Sequence, residues 1–150
     1  MNTLIAAFAL AVAPAAAGQE QGVWNGDPTA SSDGVMRLGF EYPGEGHYAL
    51  FMTCQVGSGW VSVTQYERRR PGGSMDIQAG TVALRPPTRN GPDGVLGEWT
   101  ETMLPASHPV FQEMSRGTTL TVNGVAYPVR SFAEQRKIAA YSLACDEREI

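Results

Sequence analysis

Two cysteines, Cys54 and Cys145, stand 91 positions apart in a chain of 150 residues. They constrain the fold more than any other feature. The first closes the apolar run "YALFMTC" and the second closes "IAAYSLAC" near the chain end. Whether the pair forms a bond depends on the compartment, because a disulfide persists in oxidising surroundings and not in the cytosol.

The N-terminus addresses that question. "MNTLIAAFALAVAPAAAGQE" holds an uncharged apolar stretch from Leu4 to about Ala13, then Pro14 and Ala15-Ala16-Ala17. This pattern reads as a secretory signal over residues 1–17 with cleavage before Gly18. The stretch falls short of the ~20 apolar residues that span a bilayer. No cysteine sits at the cleavage site, so no lipid anchor is expected. The chain remaining after cleavage, about 130 residues, suits one domain. It carries the whole formal charge of −4, which offers no general attraction for nucleic acid or an anionic membrane. Periplasm or medium is therefore the expected location, with no membrane-spanning segment left in the processed chain.

In an exported chain with exactly two cysteines, one bond between Cys54 and Cys145 is the simplest reading. Closing so long a loop stabilises by about 4–5 kcal/mol on the chain-entropy account.

Residues 18–33, "GQEQGVWNGDPTASSD", read as a polar, turn-like lead-in with Trp24 tucked onto the core. Residues 34–150 read as one β-rich domain. "VMRLGFEY" alternates with period two, the mark of a half-buried strand. "YALFMTC" is apolar on both parities, which places it centrally with both faces covered. "GSG" at 57–59 turns into "WVSVTQYER" as a hairpin. "MDIQAGTVALR" reads as a strand broken near Gly80, "PPTRNGPDG" as a long turn, and "VLGEWTETML" as another strand.

Asn123-Gly124 in "TLTVNGVAYPV" favours a type I′ hairpin. Between these, "SHPVFQEMSRG" reads as a short helix with Ser107 as cap, Pro109 early and Gly117 as the stop. Ser131 and Glu134 form a capping box that opens a last helix of about four turns. On that helix Glu134, Ile138, Tyr141 and Cys145 share one face, whereas Phe132, Ala139 and Leu143 point elsewhere. The expected architecture is mainly β: an antiparallel, sandwich-like arrangement of six or seven short strands with the C-terminal helix packed on the sheet.

Reactive constellations are few. A thiol nucleophile at Cys54 needs a base, and only His47 and His108 could serve. Two histidines and two cysteines without metal-type clustering give no metal site. "GEGHYA" has the letters of a dinucleotide loop but precedes a strand rather than following one. Ser58 in "VGSGW" lacks the first glycine of a nucleophile elbow. Glu98 and Glu101 flank Trp99 like a glycosidase pair, yet residues three apart on a strand point to opposite faces. No catalytic residue, cofactor or metal is assigned. Contact residues are better candidates: Arg68, Arg69 and Arg70 in "ERRRPGG" suit an anion or a protein partner, and Trp60 and Trp99 suit a sugar or peptide.

"FMTCQVGSGWVSV", "TLTVNGVAYPV" and the closing "IAAYSLAC", together with the signal, resemble the small exported β-rich proteins of alphaproteobacteria, loosely similar to the invasion-associated locus B family. The resemblance covers mainly residues 48–64 and 118–145. It implies export, a β-sandwich and a non-enzymatic role facing the envelope or a host. The functional expectation is a secreted or periplasmic, disulfide-stapled binding or accessory protein without catalysis. Its contact loops are placed around Arg68–Arg70 and Pro86–Gly94, and its partner is a protein or an envelope glycan. An inhibitor or immunity-type protein that blocks an envelope hydrolase is one alternative, and a small secreted hydrolase is another.

Overall fold

The computed structural model describes residues 22–27, 32–67, 73–93 and 97–146. The signal expected at 1–17 and the expected contact residues Arg68, Arg69 and Arg70 lie outside them. The protein is mainly β, with ten strands in two antiparallel sheets and a C-terminal helix.

The large sheet has six strands: β1 (Val23–Asp27), β2 (Val35–Glu41), β3 (Tyr48–Gln55), β4 (Trp60–Glu67), β7 (Arg89–Asp93) and β8 (Gly97–Pro105). Its order is β1-β2-β3-β4-β8-β7. The small sheet is built from β5 (Ile77–Ala79), β6 (Val82–Leu84), β9 (Leu120–Val122) and β10 (Val125–Tyr127), in the order β10-β9-β5-β6. Two helices follow the strands they cover, α1 (Pro109–Ser115) and α2 (Phe132–Cys145).

Strand alternation builds the core. Met36, Leu38 and Phe40 of β2, Leu50 and Met52 of β3, Val61 and Val63 of β4, and Leu104 of β8 all turn to one side and are buried. The small sheet meets that side with Ile77, Ala79, Leu120, Val122 and Tyr127, and α2 closes it with Ile138 and Tyr141. Trp24, Phe40 and Tyr127 pack edge to face at centroid distances of 5.2–6.5 Å, joining β1, β2 and β10. Gln65, also on the inner side, is satisfied by the other sheet: its amide donates to the Val122 carbonyl at 3.0 Å and to the Tyr127 hydroxyl at 2.8 Å. The Asn123 amide donates to Gln65 Oε1 at 2.9 Å, so one buried polar side chain sets the register between the two layers.

Several details depart from the sequence reading. Val23–Asp27, within the expected polar lead-in, form β1, with Trp24 buried as expected. The reason lies 110 residues away: Glu134 is buried and its Oε1 accepts the Trp24 N–H at 2.9 Å. Its Oε2 accepts the N–H groups of Arg130 at 2.7 Å and Ser131 at 3.0 Å, so the expected capping box doubles as the anchor of the first strand. The turn-like stretch Pro86–Gly94 holds edge strand β7, where Pro92 is tolerated because an edge needs hydrogen bonds on one side only. The break at Gly80 makes two strands, β5 and β6. These additions raise the count from six or seven to ten. The cap of α1 is His108, whose Nδ1 accepts the Val110 N–H at 3.2 Å, and not Ser107.

Strand β3 is central, but its second face is not covered: Tyr48, Ala49, Phe51 and Thr53 stay half-exposed. Asn123 and Gly124 both have positive φ, 48° and 79°, as the type I′ turn requires. On α2 the buried face is Glu134, Ile138, Tyr141 and Cys145 as expected, while the second apolar stripe faces out, with Phe132 81% and Leu143 74% exposed.

Candidate functional site

Cys54 ends β3, Cys145 ends α2, and the two form a disulfide with their Cα atoms 5.7 Å apart. The glycine-rich turn after Cys54 has its own task there. The last carbonyls of a helix lack intrahelical donors. Gly57 and Gly59, at φ +71° and +78°, aim their N–H groups at two of them, donating to Ala144 O at 2.9 Å and Cys145 O at 2.8 Å. Ser142 Oγ donates to the Ala106 carbonyl at 3.3 Å, and the Ala106 N–H donates to Gly59 O at 2.8 Å. The β3–β4 turn, the end of β8 and the end of α2 are thus locked by one covalent bond and a ring of hydrogen bonds. Cys54 is a staple, and Ser58 is tied to its own turn through hydrogen bonds with the Trp60 backbone.

The histidines are also engaged locally. His47 Nδ1 lies 2.9 Å from the Glu45 carbonyl, and His108 caps α1. His47 precedes the first residue of β3 and Cys54 sits seven residues later, so they occupy opposite ends of a strand about 23 Å long. Glu98 pairs with Glu67 and Glu101 with Thr64, which sets the two carboxylates on opposite faces as their spacing requires. The exposed aromatic side chains that could make contacts gather on one surface.

That surface is the outer face of the large sheet. The β4–β8 register places Trp60 beside Pro105, Ser62 beside Met103, Thr64 beside Glu101 and Tyr66 beside Trp99, all on this side. Trp60 is 51% and Met103 50% exposed, while Tyr66 and Trp99 are half-buried. Both tryptophans singled out from the sequence therefore share one face, near its two ends, about 20 Å apart along β4. At one edge Trp99 lies over Gly91 of β7, where a β-carbon would come within 2.4 Å of the indole. Across the sheet Tyr48 lies over Gly39 in the same manner and stacks on Phe51, ring centroids 5.1 Å apart and planes 9° from parallel. Glycine on the neighbouring strand lets each ring lie down on the backbone instead of standing away from it.

Between the tryptophans runs a polar strip. Arg89 Nε donates to Glu101 Oε1 at 2.7 Å, and Thr64 Oγ1 donates to Glu101 Oε2 at 3.4 Å. Arg89 is largely exposed and Glu101 largely covered. Pro87, Thr88, Arg89, Glu101, Thr102 and Met103 line an open depression of about 530 Å³ beside this pair. A second depression of about 550 Å³ lies on the small sheet beside the Asp76–Arg85 ion pair.

Sequence reasoning found Trp60 and Trp99 but missed Arg89, Tyr66 and Met103 as their neighbours. The alternation of "WVSVTQYE" marks Trp60 and Tyr66 as co-facial, but only the β4–β8 register brings Trp99 to the same place. Of the loops expected to make contact, the Arg68–Arg70 loop lies outside the described residues and Arg89–Asp93 is strand. Among the described residues, no helix is long and apolar enough to cross a membrane. In comparison with known proteins, no family model, no curated protein and no solved structure matches the chain.

Proposed function

We propose that this chain is an exported, disulfide-clamped binding or accessory module that works through the outer face of its large sheet and performs no catalysis of its own. The observation that carries the proposal is that face: Trp60, Met103, Tyr66 and Trp99 in one ladder, presented by a sheet whose other side is closed by core, helix and disulfide. Trp60 and Met103 are exposed at one end of the ladder and Tyr66 and Trp99 half-buried at the other, and large apolar side chains left open to solvent on one face suit an interaction site. Four groups that the sequence raised as candidate nucleophile or base support the same reading, since Cys54 is bonded and His47, His108 and Ser58 make local hydrogen bonds. Export is supported by the leader pattern together with the disulfide. The resemblance to the invasion-associated locus B family points the same way, without lending a residue to the face.

Expression of the full chain with its own leader tests the first half. The expected product is an oxidised protein in the periplasm or medium that begins at Gly18; a full-length, reduced, cytoplasmic product contradicts export. The second half is tested by incubating the oxidised protein with peptidoglycan, ester and peptide substrates. Turnover that disappears in His47→Ala or His108→Ala would establish the hydrolase alternative and end the present reading.

A further inference from the structure

The geometry points to an uncharged polysaccharide as the ligand of the outer face, its sugar rings stacking on Trp99 and Trp60 and its hydroxyls bridging the Arg89–Glu101 pair between them. The inference rests on the reading of this face as the binding surface and names what binds there.

Ring presentation is the first argument. Trp99 is half-buried with its ring over Gly91, and Trp60 is half-exposed at the far end of the same ladder. An indole lying flat offers a π-face that is negative at its centre. A pyranose offers the complement, a face of weakly positive C–H groups and a rim of hydroxyls. Trp60 on β4 and Trp99 on β8, beside Tyr66, are separated by about 20 Å along the strand direction, so a ligand touching both is extended and repetitive.

Charge is the second argument. Arg89 is paired with Glu101, and Arg37 on the same face is paired with Asp33 at 3.1 Å. Glu41 accepts the Asn25 side-chain amide at 2.9 Å. Each of these charges already has a partner of opposite sign or a polar partner, so the strip presents no uncompensated charge to attract an ionic ligand. A hydroxyl both donates and accepts, so it bridges a guanidinium and a carboxylate with the pair intact.

Competing occupancy by an extended peptide is disfavoured at the two edges of the large sheet. Strand addition needs free backbone groups in a row. On β1 the Trp24 N–H is taken by Glu134 and the Gly26 N–H by Asn25 Oδ1, and β7 carries Pro92, which has no N–H.

The test uses the purified, oxidised protein titrated with cellohexaose, chitohexaose and hexagalacturonic acid, followed by calorimetry and tryptophan fluorescence. Saturable binding of at least one of the two uncharged hexamers with a shift in emission is expected, and none or far weaker binding of the acid. Trp99→Ala and Trp60→Ala should each weaken binding about tenfold. Phe132→Ala, on the exposed stripe of α2, should leave it unchanged. Trp60 is on the surface, so its variant reports on binding even if Trp99→Ala folds poorly. Equal or tighter binding of the acid, or uncharged-hexamer binding indifferent to both tryptophan substitutions, overturns the inference. Failure of all three glycans overturns it as well. If capture of a protein partner from periplasmic extract is then lost in Trp60→Ala, the binding reading of the face survives without the glycan; if no Trp60-dependent partner is captured either, both fall.

Discussion

The two faces of the large sheet are built from the same strands and do opposite things. On β3, Leu50, Met52 and Cys54 are buried against the small sheet and α2, while Phe51 and Thr53 between them stay half-exposed. On β4, Val61, Val63 and Gln65 form core, and Trp60 and Ser62 stand outside. Because side chains alternate at every residue, stability and recognition are separated by one position along the chain. The inner face is held by a disulfide, a buried carboxylate and close packing. On the outer face two aromatic rings, Trp99 and Tyr48, lie over glycines of the neighbouring strands. Substitutions on the inner side should therefore cost folding free energy, and those on the outer side should cost binding.

The largest expected effect is removal of the disulfide. Paired Cys54→Ala and Cys145→Ala substitutions should lower stability by about 4–5 kcal/mol, read from denaturant unfolding. The backbone hydrogen bonds from Gly57 and Gly59 still direct α2 to its place, so the variant should refold to the same secondary structure at low temperature. Thiol labelling of the denatured, unreduced protein should find no free thiol, and two reactive thiols would contradict the bond.

Next comes Glu134, the inner-face anchor at the opposite end of α2. Glu134→Ala removes the acceptor for three backbone N–H groups and should cost about 2–3 kcal/mol. Hydrogen exchange should rise first at Trp24, since β1 loses its tie to the helix. Equal protection of β1 in the variant and the parent would show that β2 pairing alone holds the strand.

The legible parts of this fold were those fixed by neighbours in sequence. Asn123-Gly124 forces its hairpin through local backbone sterics, Ser131 and Glu134 meet within one helical turn, and the period-two run at Val35 needs only a core to face. The pairing of Cys54 with Cys145 was legible because there were no other cysteines to choose from. Strand β1 was not legible, because the residue that orders it, Glu134, is 110 positions away. Strand β7 was hidden by Asn90-Gly91-Pro92, which read as a turn when the partner strand β8 is unknown. The outer stripe of α2 illustrates a related limit. Phe132 and Leu143 form a second apolar stripe away from the Glu134–Cys145 face, and their exposure is decided by where the sheets end and not by the helix itself. For the site, the two tryptophans were legible as exposed aromatics, but their shared face follows from β4–β8 register alone.

A smaller effect, of the opposite sign, is expected at Tyr141. It is buried, and its hydroxyl finds no hydrogen-bond partner among the described residues. Burial pushes its phenol above the ordinary value of 10.0. A raised folded pKa means the neutral form is favoured in the native state, so stability is intact below about pH 10 and falls as the unfolded chain ionises above it. Tyr141→Phe should raise stability by about 1 kcal/mol at neutral pH and delay unfolding in alkali. A loss of stability instead would reveal a partner for the hydroxyl.

The smallest stability effect should fall on the outer face, where it sharpens the comparison most. Trp60→Ala should change unfolding free energy by no more than about 0.5 kcal/mol, because half the ring is already in water. Trp99→Ala should cost somewhat more, about 1 kcal/mol, because it uncovers Gly91 and loses the cross-strand contact with Tyr66. Gly91→Ala makes the complementary test, since its β-carbon would come within 2.4 Å of the Trp99 ring and lift it from the sheet. If the ring is seated for recognition, Gly91→Ala should impair binding with Trp99 still present. A cost in stability large enough to match the core substitutions would mean instead that the outer rings are themselves part of what holds the sheet, and the division between the two faces would fail.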